Sequence, residues 1–146
     1  MKILGIGVDI IQNNRIKNSI KNHKFRDRIY SINELKLSTS SKNKIGYFSK
    51  RFAAKEAFAK ALGTGFRNDL NFKDIEIMND KFGKPYYSKT KKITQIIRKE
   101  FKVKNFNCFL SISDEKDYST AFTIIQSIWS WTKIFFLKIL RHFFMP

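Results

Sequence analysis

Cysteine occurs once in the 146 residues, histidine and proline twice each, and glycine six times. A single cysteine excludes an intrachain disulfide, and Cys108 alone cannot assemble a Cys-based metal site. It lies in an apolar stretch and reads as a small buried hydrophobe. There is no Pro-rich linker and no internal repeat, so nothing divides the chain, and its length suits one packed core rather than two. His23 and His142 stand outside any motif and read as surface or interface residues. The N-terminus has no secretory signal pattern, since Met1 and Lys2 lead directly into a strand, and a cytoplasmic location is expected. Acids are scarce too: 12 Asp and Glu face 29 Lys and Arg, a formal net charge of +17.

So positive a chain steers anionic partners toward itself. Arg15, Lys17, Lys21, Lys24, Arg26 and Arg28 cluster after the first strand. Nucleic acid would want the same surface. Against that reading, the basic residues are interleaved with Asn and Ile, and no nucleic-acid motif is present; no nucleic-acid partner is expected. Part of the charge follows from a composition rich in Lys, Ile, Asn and Phe.

Residues 51–65, RFAAKEAFAKALGTG, are the most informative stretch. Good helix formers run from Arg51 to Leu62, and Gly63 is placed to stop the helix. Phe52, Glu56 and Lys60 recur four apart and share one face. The first strand, ILGIGVDII at residues 3–11, is apolar except for Asp9. A carboxylate among Ile and Val needs a cation or donors. Asp9 and Glu56 together would make a hard two-oxygen site of the kind Mg²⁺ uses, with waters and a substrate phosphate completing the shell. Spacing alone leaves a second arrangement open, with Asp9 ending its strand in solvent and Glu56 paired to Lys60.

The rest alternates helices and strands. Asn13 or Asn14 can cap a short helix carrying Ile16 and Ile20. Ser31 and Glu34 form a capping box for a second helix. A polar loop over residues 38–44 leads into the long motif helix, which begins near Ile45. Residues 72–77 alternate as a half-buried strand, with Tyr86 and Tyr87 returning antiparallel to it across Gly83. Ile93, Ile96, Ile97 and Phe101 mark an amphipathic helix, and residues 109–113 and 120–125 form a hairpin. The fold class is α+β, an antiparallel sheet packed on one long central helix.

Four segments in this order, GIGVDIIQNNRI, RFAAKEAFAKALGTG, IEIMNDKFGKPY and FLSISDEKDYSTAF, resemble the holo-[acyl-carrier-protein] synthase family, the small single-domain 4′-phosphopantetheinyl transferases. The match runs from about Lys2 to about Ile125. The resemblance implies a 4′-phosphopantetheinyl transferase fold, a homotrimer with active sites between subunits, and a Mg²⁺-dependent reaction supporting fatty acid biosynthesis. The 4′-phosphopantetheine arm of coenzyme A passes to a serine of an acidic apo-acyl carrier protein, releasing adenosine 3′,5′-bisphosphate. It implies Asp9 and Glu56 as metal ligands, with Glu56 the likeness's proton acceptor and Lys60 the ammonium that stabilises the transferring or leaving phosphate. Arg28, Arg51, Phe52, Lys60 and the Gly83-Lys84-Pro85 turn are implied at the cofactor, and Arg15, Lys21 and Lys24 at the carrier protein. One position departs. Where the family usually has histidine, this chain has Asp114, and an ionised acid cannot donate to phosphate. Asp114 either meets the metal or a water, or leaves its contacts to a neighbouring lysine, or weakens the activity.

The resemblance divides the chain into a transferase domain over 1–126 and an extension over 127–146, crowded with aromatics and carrying Lys133, Lys138 and Arg141. Three cations oppose a spanning helix. The extension is read as lying on an anionic membrane surface, docking on the trimer, or having no function.

Overall fold

A computed structural model describes residues 1–67 and 69–128. Two sheets and five α-helices are present among them. The first strand, β1 (Lys2–Gln12), is followed by three seven-residue helices, α1 (Asn13–Ser19), α2 (His23–Ile29) and α3 (Ile32–Ser38). The 19-residue α4 (Lys44–Leu62) comes next, then a small hairpin of β2 (Ile77–Asn79) and β3 (Pro85–Tyr87). Helix α5 (Lys91–Phe101) and the long hairpin β4 (Phe106–Asp114) and β5 (Tyr118–Ser127) complete it. The main sheet is antiparallel in the order β1-β5-β4, so the N-terminal strand pairs with the last one.

Local chemistry explains most boundaries. Ser31 accepts from the Glu34 amide while Glu34 accepts from the Ser31 amide, closing the expected capping box. Asn43 accepts from the Gly46 amide and starts α4; Gly63, at φ 79°, ends it in the left-handed region that glycine adopts without penalty. The expected single long helix corresponds to α4, yet it is one helix of five among the described residues; the sheet rests on it, and α1 and α3 pack against it. Two further readings are corrected. Asn13 does not cap α1: it begins that helix, donates to the carbonyls of Glu115 and Lys116, and accepts from Ser119, tying α1 to the β4–β5 turn. Residues 72–74 are a 3₁₀ turn, because Asp74 accepts from the Asn71 amide and bends the chain; pairing begins only at Ile77.

The core lies between α4 and the sheet. Ala53, Ala54, Ala57 and Ala61 present a thin helical surface, and Ile11, Leu110, Ala121 and Ile125 meet it from the strands. Gly7 makes the approach possible. A Cβ there would stand 1.9 Å from the Ala57 carbonyl oxygen and 2.7 Å from the Ala61 amide nitrogen. Backbone cannot rotate away as a side chain can, so Gly7→Ala is expected to cost about 3 kcal/mol by lifting α4 from the sheet. Urea denaturation measures this, and a loss below about 1 kcal/mol would show that the helix shifts freely.

The other sheet face is open. Ile6, Val8 and Ile10 of β1 stand on it, Val8 being 56% exposed, beside Phe122 of β5 and Phe109 of β4. Cross-strand rows join them: Ile6, Ile124 and Phe109 in one, Val8, Phe122 and Ser111 in the next. Cys108 is partly buried, and burial pushes its thiol up to about 12, so it is inert at neutral pH. No helix among the described residues is long and apolar enough to cross a membrane. The readings made for the extension fall on residues 129–146, outside the described residues.

Candidate active site

Alternation along β1 turns Gly7, Asp9 and Ile11 toward α4, opposite to Val8 and Ile10. Asp9 thereby meets the face that Glu56 and Lys60 share. The Lys60 ammonium donates to Asp9 Oδ1 at 2.8 Å and to the Val8 carbonyl at 3.0 Å. Of the two arrangements open from spacing, neither is found unaltered: Lys60 pairs with Asp9 of the strand, and Asp9 is sheltered rather than free in solvent. Glu56 is half-buried. Burial raises its pKa first, the Asp9 charge raises it further, and Lys60 opposes both. The Asp9 carboxylate resists ionisation of Glu56, an electrostatic demand for a cation that Lys60 answers in part.

These two acids fit a hard divalent ion, which commonly takes one or two protein carboxylates and fills its shell with water and phosphate oxygens. Asp9 and Glu56 would hold it. No group of three or more His, Cys, Asp or Glu suited to a metal occurs among the described residues, so the protein would supply only this pair.

A cleft of about 340 Å³ opens along the N-terminal half of α4. Tyr47, Lys50 and Arg51 line it from the helix, Asn79, Gly83 and Pro85 from the small hairpin, and Ile112 and Asp114 from β4. Gly83 turns the hairpin at φ 84°, and Asp80 braces the turn by accepting from the Phe82 and Lys84 amides. Arg51 is only 6% exposed. Its guanidinium lies 3.5 Å over the Tyr47 ring and donates to Asn79 Oδ1 at 2.9 Å. Burial lowers its pKa, while Tyr47 and Glu34 pull the other way. Lys50 and Asp114 form an ion pair at 3.2 Å.

Arg51, Gly83 and Pro85 are thus brought to one cleft. Lys84 stands exposed on the hairpin turn between two of them. Phe52 lies elsewhere, stacked between Phe25 and Phe72. Arg15, Lys21, Lys24 and Arg28 are exposed on the α1–α2 segment and outside the cleft lining. Sequence reasoning missed Tyr47, Lys50 and Asn79. Tyr47 had a signal, since it precedes Arg51 by one helical turn; Asn79 had none beyond its place before the Gly83 turn.

A family model described as the 4′-phosphopantetheinyl transferase superfamily matches residues 5–123. The holo-[acyl-carrier-protein] synthase of Pelagibacter ubique is 59% identical over 126 residues, covering 86% of this chain and 98% of that protein. That of Buchnera aphidicola from Schizaphis graminum is 43% identical over 128 residues, covering 86% and 99%. Among solved structures, the Neisseria meningitidis holo-[acyl-carrier-protein] synthase superposes with a TM-score of 0.78 at 37% identity, over 86% of this chain and all 100% of that one. The Bacillus anthracis synthase, solved in complex with CoA (3′,5′-ADP), gives 0.72 at 35% identity, over 86% and 98%.

Proposed function

The chain belongs to the holo-[acyl-carrier-protein] synthase family of 4′-phosphopantetheinyl transferases, and from that premise we propose a division of labour among its residues. The serine hydroxyl of apo-acyl carrier protein attacks the β-phosphorus of coenzyme A. A new P–O bond forms to serine, the pyrophosphate P–O bond breaks, and adenosine 3′,5′-bisphosphate leaves with the bridging oxygen. The convergence of Asp9, Glu56 and Lys60 supports this reading above all.

Glu56 accepts the serine proton, a role suited to a carboxylate whose affinity for protons is raised by its surroundings. Lys60 stabilises charge on the transferring or leaving phosphate; its side chain is more than half exposed, and its ammonium donates to two oxygens among the described residues. Asp9 and Glu56 would hold Mg²⁺, which when bound would supply positive charge to offset that of the pyrophosphate. Arg51 and the Gly83–Pro85 turn, with Lys84 on it, grip coenzyme A. Arg28 with Arg15, Lys21 and Lys24 meets acidic carrier protein and cofactor.

The active unit is a homotrimer with sites between subunits. Two observations support it. The open face of the main sheet is an apolar patch of the kind that covers itself in symmetric oligomers. Arg51 and Glu56 project about 140° apart around α4, by the helical period, so one cofactor reaches the two side chains most directly by spanning two chains. The work is cytoplasmic and supports fatty acid biosynthesis.

Intact-mass analysis of an apo-acyl carrier protein tests the reaction. Incubation with this protein, coenzyme A and Mg²⁺ is expected to add one phosphopantetheine, and EDTA to prevent it. A gain that persists in EDTA would overturn the metal assignment, and no gain at all would overturn the reaction.

A further inference from the structure

We propose that Lys50 and Asp114 work as a unit in the cleft: Lys50 is a phosphate-binding cation for coenzyme A, and Asp114 is the positioning residue that holds it there. This rests on the reading that the cleft binds coenzyme A.

The other cation of the cleft is held rigidly. Arg51 is stacked on Tyr47, donates to Asn79 and to the Tyr47 carbonyl, and has its Nε 4.0 Å from Glu34. Buried and braced on several sides, it keeps N–H groups unpaired among the described residues, Nε included, but offers them to an anion from one fixed position in the cleft wall. Lys50 differs. Its side chain is 34% exposed, and its one charged partner among the described residues is Asp114, itself 37% exposed. An ammonium has three N–H donors, so one contact to Asp114 leaves two for phosphate oxygens.

Asp114 cannot contact phosphate itself while ionised. Placed at the last residue of β4, it anchors a flexible four-carbon stem that springs from α4, so that less side-chain freedom is lost when the anion arrives. Of the three charged lining residues, Lys50 and Arg51 are positive and Asp114 negative, leaving the cleft net positive. A half-exposed ion pair contributes little to stability, so a purely structural pair would be expendable for binding.

Calorimetric titration of the full chain with coenzyme A separates the cases. Lys50→Ala is expected to weaken binding by about 10- to 100-fold, with Lys50→Arg recovering most of it and the melting temperature unchanged in both. The sign of Asp114→Ala is the sharper test. With Lys50 present it should weaken binding, because the ammonium loses its anchor. In a Lys50→Ala background it should tighten binding, because a bare carboxylate facing phosphate is removed. Equal affinity of wild type and Lys50→Ala would overturn the inference alone, as would an Asp114→Ala effect of the same sign and size in both backgrounds. If the wild type bound no coenzyme A, the functional reading would fail and this inference with it.

Discussion

Glu56→Ala is expected to abolish transfer, by about 10²- to 10⁴-fold for the lost proton acceptor and more if metal affinity falls with it. Asp9→Ala should do the same through the metal. Neither change should unfold the protein. Glu56 is half-buried, contributes nothing to the hydrophobic core, and is held against the Asp9 charge, so its removal relieves a repulsion. Glu56→Gln keeps the shape and removes the charge, and should be as inactive as alanine. The measurement is the rate of carrier-protein mass gain, beside a denaturation curve for each variant. Full activity in either alanine variant would refute the assignment. The wild type should also show a pH dependence of definite sign. Burial and Asp9 raise the Glu56 pKa from its ordinary value, so protons compete with the metal at higher pH than usual. Activity should fall as pH drops through that raised value, and more Mg²⁺ should move the fall to lower pH.

Much of this site was legible because its parts lie on one helix. Helical spacing puts Glu56 and Lys60 together and ends α4 at Gly63, and local capping chemistry marks Ser31. Spacing fails where a partner comes from another element. It pairs Lys60 with Glu56, whereas the fold gives Lys60 to Asp9, 51 residues away in sequence. The partner of Asp114 was invisible for the same reason: Lys50 is brought to it only when the end of β4 lies beside α4. Residues 72–77 alternate like a strand, but the Asn71–Asp74 turn takes the first half of the segment. The glycines of β1 illustrate the other limit. Their type suggests permissive backbone, and only the packed helix shows that Gly7 is required by a carbonyl oxygen lying against it.

Lys55→Met is expected to destabilise the fold by about 3–5 kcal/mol, a large part of the roughly 5–15 kcal/mol that holds a domain together. Lys55 and Glu34 are fully buried, with Nζ 2.7 Å from Oε2. Lys55 also donates to the carbonyls of Phe72 and Ile75. Burial lowers its pKa, but three acceptors need the three N–H donors that only the ammonium has, so the charged form is retained. Removing Lys55 takes from the buried Glu34 carboxylate its closest cation and leaves only Arg51 Nε, 4.0 Å away. Glu34→Leu is no milder alone, because Glu34 also accepts from the Ser31 and Ile77 amides and so ties α3 to β2. The double variant Glu34→Leu, Lys55→Met should lose less than the sum of the singles, since both members of the 2.7 Å pair are removed together, although Arg51 then loses its Glu34 neighbour. Urea denaturation of the four proteins measures this coupling, and additive losses would show that the pair acts as two independent groups. Lys55 and Glu56 are adjacent in sequence yet point to opposite sides of the problem. A Lys55 variant should lose transfer only to the extent that it unfolds, with a lowered denaturation midpoint, while a Glu56 variant should fold and fail at the chemistry. Loss of activity therefore assigns a catalytic role only to the residue whose variant keeps its denaturation midpoint.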